Sequence, residues 1–253
     1  MSEVRAGELL AEVRDSVATV TLNRPGALNA LSFGMIEELA RLLDEWEYHD
    51  AVRVVVLRGA GEKAFCAGGD IRMLHDSFRA GTEGHHDFFI REYALDHRIH
   101  RYPKPVVALM DGIVMGGGMG ISQGAALRIV GDRTRMAMPE TTIGLFPDVG
   151  GSYFLSRVPG RLGTYLGLVG PTMRAADALY CQLADMYLSP GSMAHVDEWL
   201  ARAAASADPH AAVKALASRD ERSSLPPPEL AALRPAIDRH FAAPTVEAIM
   251  DSL

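Results

Sequence analysis

Phe65-Cys66-Ala67-Gly68-Gly69-Asp70 and Met115-Gly116-Gly117-Gly118-Met119-Gly120 are the two stretches on which the fold turns. Each follows an aliphatic run and precedes a segment with helical spacing. Small residues at such a place let backbone N–H groups approach a ligand, and the start of a helix adds unpaired donors and a positive dipole end. One loop of this kind is ordinary turn and packing chemistry. Two of them, each between a buried strand and a helix, point to a pair of amides that cradle one oxygen, either of a phosphate or of a developing oxyanion.

Working outward, Leu9 to Arg14 and Val17 to Leu22 flank Asp15-Ser16 and read as an antiparallel hairpin. Asn23-Arg24-Pro25-Gly26 ends its second strand. From Ser32, a helix N-cap, the spacing of Ile36, Leu39, Leu43 and Trp46 predicts a helix of roughly four turns. Val52 to Leu57 and Val106 to Met110 are continuous aliphatic runs suited to strands buried on both faces, closed by Gly59-Ala60-Gly61 and Asp111-Gly112. Glu83 to Tyr102 reads as an amphipathic helix carrying Phe88, Phe89, Tyr93, Leu95 and Ile99. The order predicts an α/β fold of repeated ββα units rather than a bundle or a sandwich. Past about residue 190 the texture turns to Ala-rich helical segments, broken by a stiff Ser-Leu-Pro-Pro-Pro at 224–228. The expected organisation is a core over 1–190 and a peripheral helical segment over 191–253, with no repeat at a fixed period.

The 253 residues are 48% hydrophobic and 23% charged, enough to bury a core in one large domain. A formal charge of −7 offers no broad surface for nucleic acid or anionic membrane, so an anionic ligand must meet local donors. Two cysteines, Cys66 and Cys181, are too few for a disulfide framework. Met1 to Leu10 lacks a basic segment followed by a long apolar run, and no apolar stretch approaches the roughly 20 residues of a membrane span. A soluble cytoplasmic protein is the expectation.

Three other readings compete. Gly116 to Gly124 has the loose form G-x-G-x-G-x-x-x-G, with Glu140 about twenty residues beyond Gly120, as in dinucleotide binding. Against this, Asp111-Gly112 already interrupts the strand, and the helix before Leu127 is very short. Glu92, Asp96 and His100 share a helical face in the manner of metal ligands, but no second cluster completes a site and no metal is expected. Cys66 has no paired base in sequence and reads as a packing residue; His85-His86 read as a solvated loop.

Phe65-Cys66-Ala67-Gly68-Gly69-Asp70-Ile71 and Met115-Gly116-Gly117-Gly118 resemble the two oxyanion-hole segments of the crotonase (enoyl-CoA hydratase/isomerase) superfamily. Asn23-Arg24-Pro25 with Leu28-Asn29-Ala30-Leu31, Met138-Pro139-Glu140 and Gly144-Leu145-Phe146-Pro147-Asp148-Val149-Gly150-Gly151 extend the likeness, in order, over residues about 9 to 190. The resemblance implies a spiral of ββα units and an acyl-CoA substrate. Coenzyme A would enter as part of that substrate, with no separate cofactor, and superfamily members assemble as trimers or hexamers. It assigns the oxyanion donors to the amides of Ala67 and Gly117, and adds Gly68, Gly69, Asp70 and Gly116 as substrate-binding positions.

By the same resemblance, hydratases use two glutamates, at the positions here held by Gly120 and Glu140. Glycine carries no proton, so the acid–base pair that hydration needs is absent. Asp148, within Phe146-Pro147-Asp148-Val149-Gly150-Gly151, and Glu92 instead resemble the 3-hydroxyisobutyryl-CoA hydrolases of valine breakdown. The implied roles are catalysis by Glu140, a water-holding or substrate-orienting Asp148, and a hydroxyl-contacting Glu92. Arg24 and Lys63 flank the relevant segments and are candidates for the CoA phosphates. Hydration or isomerisation with Glu140 as the single acid/base, or CoA binding without turnover, are the alternatives. Phe241 to Leu253 resembles a segment that leads into further helices in the hydrolases, so the acyl pocket and subunit assembly are expected to differ from theirs.

Overall fold

A computed structural model describes residues 7–253. Residues 1–6, part of the N-terminal stretch read above as leader-free, lie outside it. Strands β1 (Leu9–Arg14) and β2 (Val17–Leu22) form the expected hairpin, paired from Leu9↔Leu22 to Arg14↔Val17. Its two turn residues, Asp15 and Ser16, both take positive φ, 50° and 61°, the twist that a tight right-handed hairpin requires. Helix α1 (Phe33–Glu47) starts where expected, with the Ser32 hydroxyl accepting from the Met35 amide and Ile36, Leu39, Leu43 and Trp46 buried.

Strand β3 (Val54–Gly59) begins two residues later than the aliphatic run, because the Val52 amide is spent on His49 O in the turn that closes α1. Then follow β4 (Ala64–Cys66), α2 (Ile71–Arg79), α3 (Gly84–Arg101), β5 (Val106–Met110), β6 (Ile113–Met115), α4 (Gly117–Gln123), β7 (Leu127–Val130) and β8 (Arg135–Ala137). After these come α5 (Gly151–Leu155), α6 (Leu162–Val169), α7 (Ala175–Tyr180), β9 (Met186–Tyr187), α8 (Pro190–Met193), α9 (Val196–Ala204), α10 (Pro209–Ala215), α11 (Glu229–His240) and α12 (Val246–Ser252).

The fold is α/β, and its logic is the division of labour within each unit. The first strand of each pair joins a six-stranded sheet of order β1-β2-β3-β5-β7-β9, and the second joins a three-stranded sheet of order β4-β6-β8. All pairings between these strands except the hairpin are parallel. The chain therefore advances one strand along both sheets at every turn of the spiral. One consequence fixes the site: β4, β6 and β8 are parallel neighbours, so the segments that leave their C-terminal ends emerge side by side. Those segments are Ala67–Asp70, Gly116–Gly117 and Met138–Glu140.

Val54 to Leu57 of β3 and all of β5 are buried, each full burial of a Val or Leu contributing about 1.5–3 kcal/mol. One face of the large sheet packs on α1 and α3. The other is covered by α9 and α10, where Val196, Leu200, Ala203 and Val213 meet Val54, Val56, Val107 and Ile129. Helix α11 is tied to α7 by the Leu230 amide donating to Asp177 Oδ1 at 2.9 Å.

Candidate active site

A cavity of about 350 Å³ opens at the C-terminal edge of the small sheet, lined among others by Gly69, Phe88, Glu92, Gly117, Glu140 and Asp148. Gly68 and Gly116 also line it. The structure departs from expectation at Ala67, whose amide donates to Leu28 O at 3.0 Å and is not free for a ligand. The donor moves two residues on. Leu31 N donates to Gly68 O, and Asp70 N donates to Leu31 O, a parallel bridge that leaves the amide of Gly69 pointing away from it without an acceptor among the described residues. Gly117 opens α4, ahead of the helical hydrogen-bond ladder, so its amide is also unspent. The two come close: a Cβ built on Gly117 would stand 3.3 Å from Gly69 N. Gly116, at φ +50°, makes the turn that aims the helix start, and a Cβ there would lie 2.9 Å from Glu140 Oε1.

Opposite these amides sit carboxyls. Glu140 follows β8 and opens a short 3-10 turn over Glu140–Ile143; it is 5% exposed, and its Oε2 has no partner among the described residues. Glu92 projects inward from α3, is 2% exposed, and rests its Oε1, also unpartnered, against Gly117. Burial, reinforced by the charge of Asp148, pushes Glu140 up to about 7, while a hydrogen bond to its own backbone pulls the other way. Burial first, then Asp148 and Glu140, push Glu92 up to about 8. At neutral pH Glu92 is thus mostly a neutral acid and Glu140 is divided between its two forms. Asp148 accepts from Tyr93 OH at 2.6 Å, and burial together with that bond raises the Tyr93 phenol. Val149, beside it, holds φ +43°, a left-handed backbone that costs a β-branched residue about 1–3 kcal/mol.

Sequence reasoning missed Asp96. One turn beyond Glu92 on α3, it is 8% exposed, has no partner for either oxygen among the described residues, and is raised well above a normal aspartate by burial, then by Glu92 and Asp148. The signal was present in the i, i+4 spacing of Glu92 and Asp96. In sequence that spacing suggests only metal ligands that no second cluster completes, because the side of α3 that packs inward is set by the tertiary fold.

Two expected substrate contacts are structural. Arg24 donates to Ala30 O at 2.8 Å and Asp70 Oδ2 at 2.9 Å, and pairs with Glu8 at 3.0 Å, so its guanidinium is spent inside the N-terminal signature and is not a phosphate ligand. Asp70 caps α2 by accepting from the Met73 amide and is held by Arg24, so it does not reach the cavity. Lys63 is exposed on the β3–β4 loop, outside the cavity lining. Cys66 is fully buried, its thiol pushed up to about 12 by burial, which makes it inert as a nucleophile. His100 packs edge-on against Tyr153, 5.2 Å between centroids, and no cluster of metal-binding side chains occurs among the described residues. No helix among them is long and apolar enough to cross a membrane.

Comparison with known proteins places this geometry in context. The sequence profile described as enoyl-CoA hydratase/isomerase matches residues 17–253. A protein of Xenopus tropicalis named "3-hydroxyisobutyryl-CoA hydrolase, mitochondrial" is 40% identical over 99% of this chain and 66% of its own length. A second relative, "Small ribosomal subunit protein mS47" of Neurospora crassa, is 47% identical over 74% of this chain and 37% of its own. Among solved structures, a carnitinyl-CoA dehydratase from Mycobacterium thermoresistibile superposes with a TM-score of 0.85 at 42% identity, covering 97% of this chain and 69% of that one. The chain thus spans just under two thirds of the length of the frog hydrolase. The cytoplasmic expectation is overturned by these names, since similar hydrolases are called mitochondrial. Two free cysteines and the lack of an apolar span report redox state and membrane insertion, and neither distinguishes one reducing aqueous compartment from another.

Proposed function

The chain belongs to the enoyl-CoA hydratase/isomerase family, and from that premise we propose that it hydrolyses a short β-hydroxyacyl-CoA thioester of the 3-hydroxyisobutyryl type. The observation that carries the reading is the meeting of two unspent amides, Gly69 and Gly117, with an unpartnered glutamate oxygen on Glu140 across one small cavity. The names of the hydrolase relatives support the choice of substrate. Position 120, a glycine, supplies no second acid for adding water to a double bond.

In this reading the thioester oxygen lies between the two amides, each contributing about 3 kcal/mol to the charged transition state. Glu140 as carboxylate attacks the acyl carbon, the C–S bond breaks, and coenzyme A leaves as thiolate, a leaving group good enough to need no enzymic acid. The product is a mixed anhydride on Glu140. Water, held by Asp148, adds to the acyl carbon; the hydroxy acid departs with the water oxygen, a proton is released, and Glu140 returns as carboxylate. Glu92, in its acid form, donates to the substrate hydroxyl.

Because Glu140 acts ionised, the rate rises with pH through about 7. The test follows free thiol after adding 3-hydroxyisobutyryl-CoA, with Glu140→Gln alongside and hydroxylamine present to trap the anhydride as hydroxamate. Thiol release that depends on Glu140 is expected. Equal rates in the variant remove Glu140 from the mechanism, and loss of enoyl absorbance from crotonyl-CoA without thiol release transfers it to hydration.

A further inference from the structure

Hydrolysis needs water at the acyl carbon, yet the thiol arm of the substrate must fill the mouth of a cavity of only about 350 Å³. A second cavity, of about 790 Å³, adjoins the first and shares Asp148 and Val149 with it as a common wall. Its rim carries His97, Arg101, Phe146 and Tyr153, all exposed and none of them lining the first cavity, so it opens to solvent past its own residues. Its inner end is lined by Asp96 and Gly120.

Asp96 has no use in the steps above, although its burial without a partner is costly unless something donates to it. Gly120 is what lets it reach inward. A Cβ at position 120 would stand 2.7 Å from Asp96 Oδ2, 2.9 Å from Oδ1 and 2.7 Å from Val149 Cβ. Unsatisfied acceptors therefore occur on both sides of the shared wall: both Asp96 oxygens on the second cavity, and Glu92 Oε1 and Glu140 Oε2 on the first. Buried polar sites of this kind are where internal water binds, typically with two to four partners.

We infer that the second cavity is the water entrance of the site and that Asp96 is its positioning residue, holding the water that passes the Asp148–Val149 wall to the acyl carbon while coenzyme A still occupies the mouth. The inference rests on the hydrolase reading above. It assigns Gly120 a role of its own, as the opening that leaves room for the Asp96 carboxyl. The Tyr93–Asp148 hydrogen bond crosses the same wall and holds Asp148 at it.

The experiment compares the full chain with Asp96→Asn and Asp96→Leu, reading thiol release from 3-hydroxyisobutyryl-CoA and thermal melting in parallel. Asparagine keeps a polar group that binds water; leucine has nearly the same size and binds none. Leucine is expected to lower kcat about tenfold or more with KM unchanged, and asparagine to stay within about threefold of the parent. Both variants should melt at or above the parent temperature, since a buried, unpartnered acid is removed. A full kcat in the leucine variant overturns the inference, and so does an asparagine variant that falls as far as leucine, which would assign Asp96 an ionic role. A variant that melts early is replaced by Gly120→Ala, which pushes on the same two atoms from α4; unchanged kcat there overturns the inference equally. If the parent chain releases no thiol, the hydrolase reading fails, an outcome distinct from any difference between the variants.

Discussion

Two groups of polar residues, one tied to the segment after β4 and the other to α3 and the segment after β8, are built on opposite terms. Around Arg24, Asn29 and Asp70 every polar group is engaged: the Asn29 side chain donates to Ala60 O and Ala64 O at 3.0 and 2.7 Å and accepts from the Arg24 amide, while Arg24 and Asp70 hold each other. Around Glu92, Asp96 and Glu140, which are buried more deeply than Arg24 and Asp70, Glu92 Oε1, both Asp96 oxygens and Glu140 Oε2 have no partner among the described residues. The first group stabilises the loop that positions Ala67 to Gly69. The second is kept unsatisfied by the fold, at a cost of about 1–3 kcal/mol per stranded group, and such groups mark where a ligand is bound. The first group pairs its carboxylate with a guanidinium and an amide, whereas the second gathers carboxyls alone, and the two differ in function accordingly.

The sharpest way to break this contrast is substitution in each group. Glu140→Gln is expected to lower thioester hydrolysis about a thousandfold, in line with removal of a covalent nucleophile, while leaving the melting temperature unchanged or raised. Asn29→Ala should do the reverse, because it strands two carbonyls and an amide at a fully buried site and places alanine at φ +55°. About 3 kcal/mol of stability should be lost in denaturant titration, with activity per folded molecule retained. A variant pair in which both lose activity and neither loses stability would dissolve the distinction.

Acidity sharpens it further. Glu92 and Glu140 are raised in the folded state, to about 8 and about 7, from an ordinary 4.5. A raised group contributes stability that is complete below its unfolded value and is lost as pH rises through its folded value. The melting temperature should therefore fall between pH 4.5 and about 8, over the window in which activity rises with Glu140 ionisation. Glu92→Gln should flatten the upper part of that fall in a melting series against pH. The smallest effect is expected at Lys63→Ala, where an exposed side chain outside the cavity lining should change stability by less than about 0.5 kcal/mol.

Much of this was legible in the chain. The hairpin, the Ser32-capped helix and the strand at Val106–Met110 carry local patterns that tertiary context does not override, and the structure brings the paired glycine segments to one cavity. The errors have a common physical origin. Ala67 and Gly69 are two positions apart, on either side of Gly68, in a segment that bridges to Leu31, and which amide faces the ligand depends on that bridge, a long-range pairing with no local signature. Arg24 looked available because cations near a phosphate-binding loop are commonly ligands, whereas its partners, Asp70 and Ala30 O, are chosen only by the folded chain. Asp96 became visible once α3 was seen to turn its 92–96–99 face inward. The short strands β4, β6 and β8 bring three loops to one edge, and at three residues each they are too brief for alternation to register.

The central claim is that one acyl oxygen sits between the amides of Gly69 and Gly117 with Glu140 facing the carbonyl carbon. A crystal structure with a non-hydrolysable ketone analogue of 3-hydroxyisobutyryl-CoA, in which a methylene replaces the thioester sulfur, tests it directly. The expected result is a carbonyl oxygen at about 2.7–3.1 Å from both amide nitrogens, with Glu140 Oε2 on the open face of the carbon. An analogue whose carbonyl lies against any other pair of donors, or with Glu140 turned out of the cavity, contradicts it.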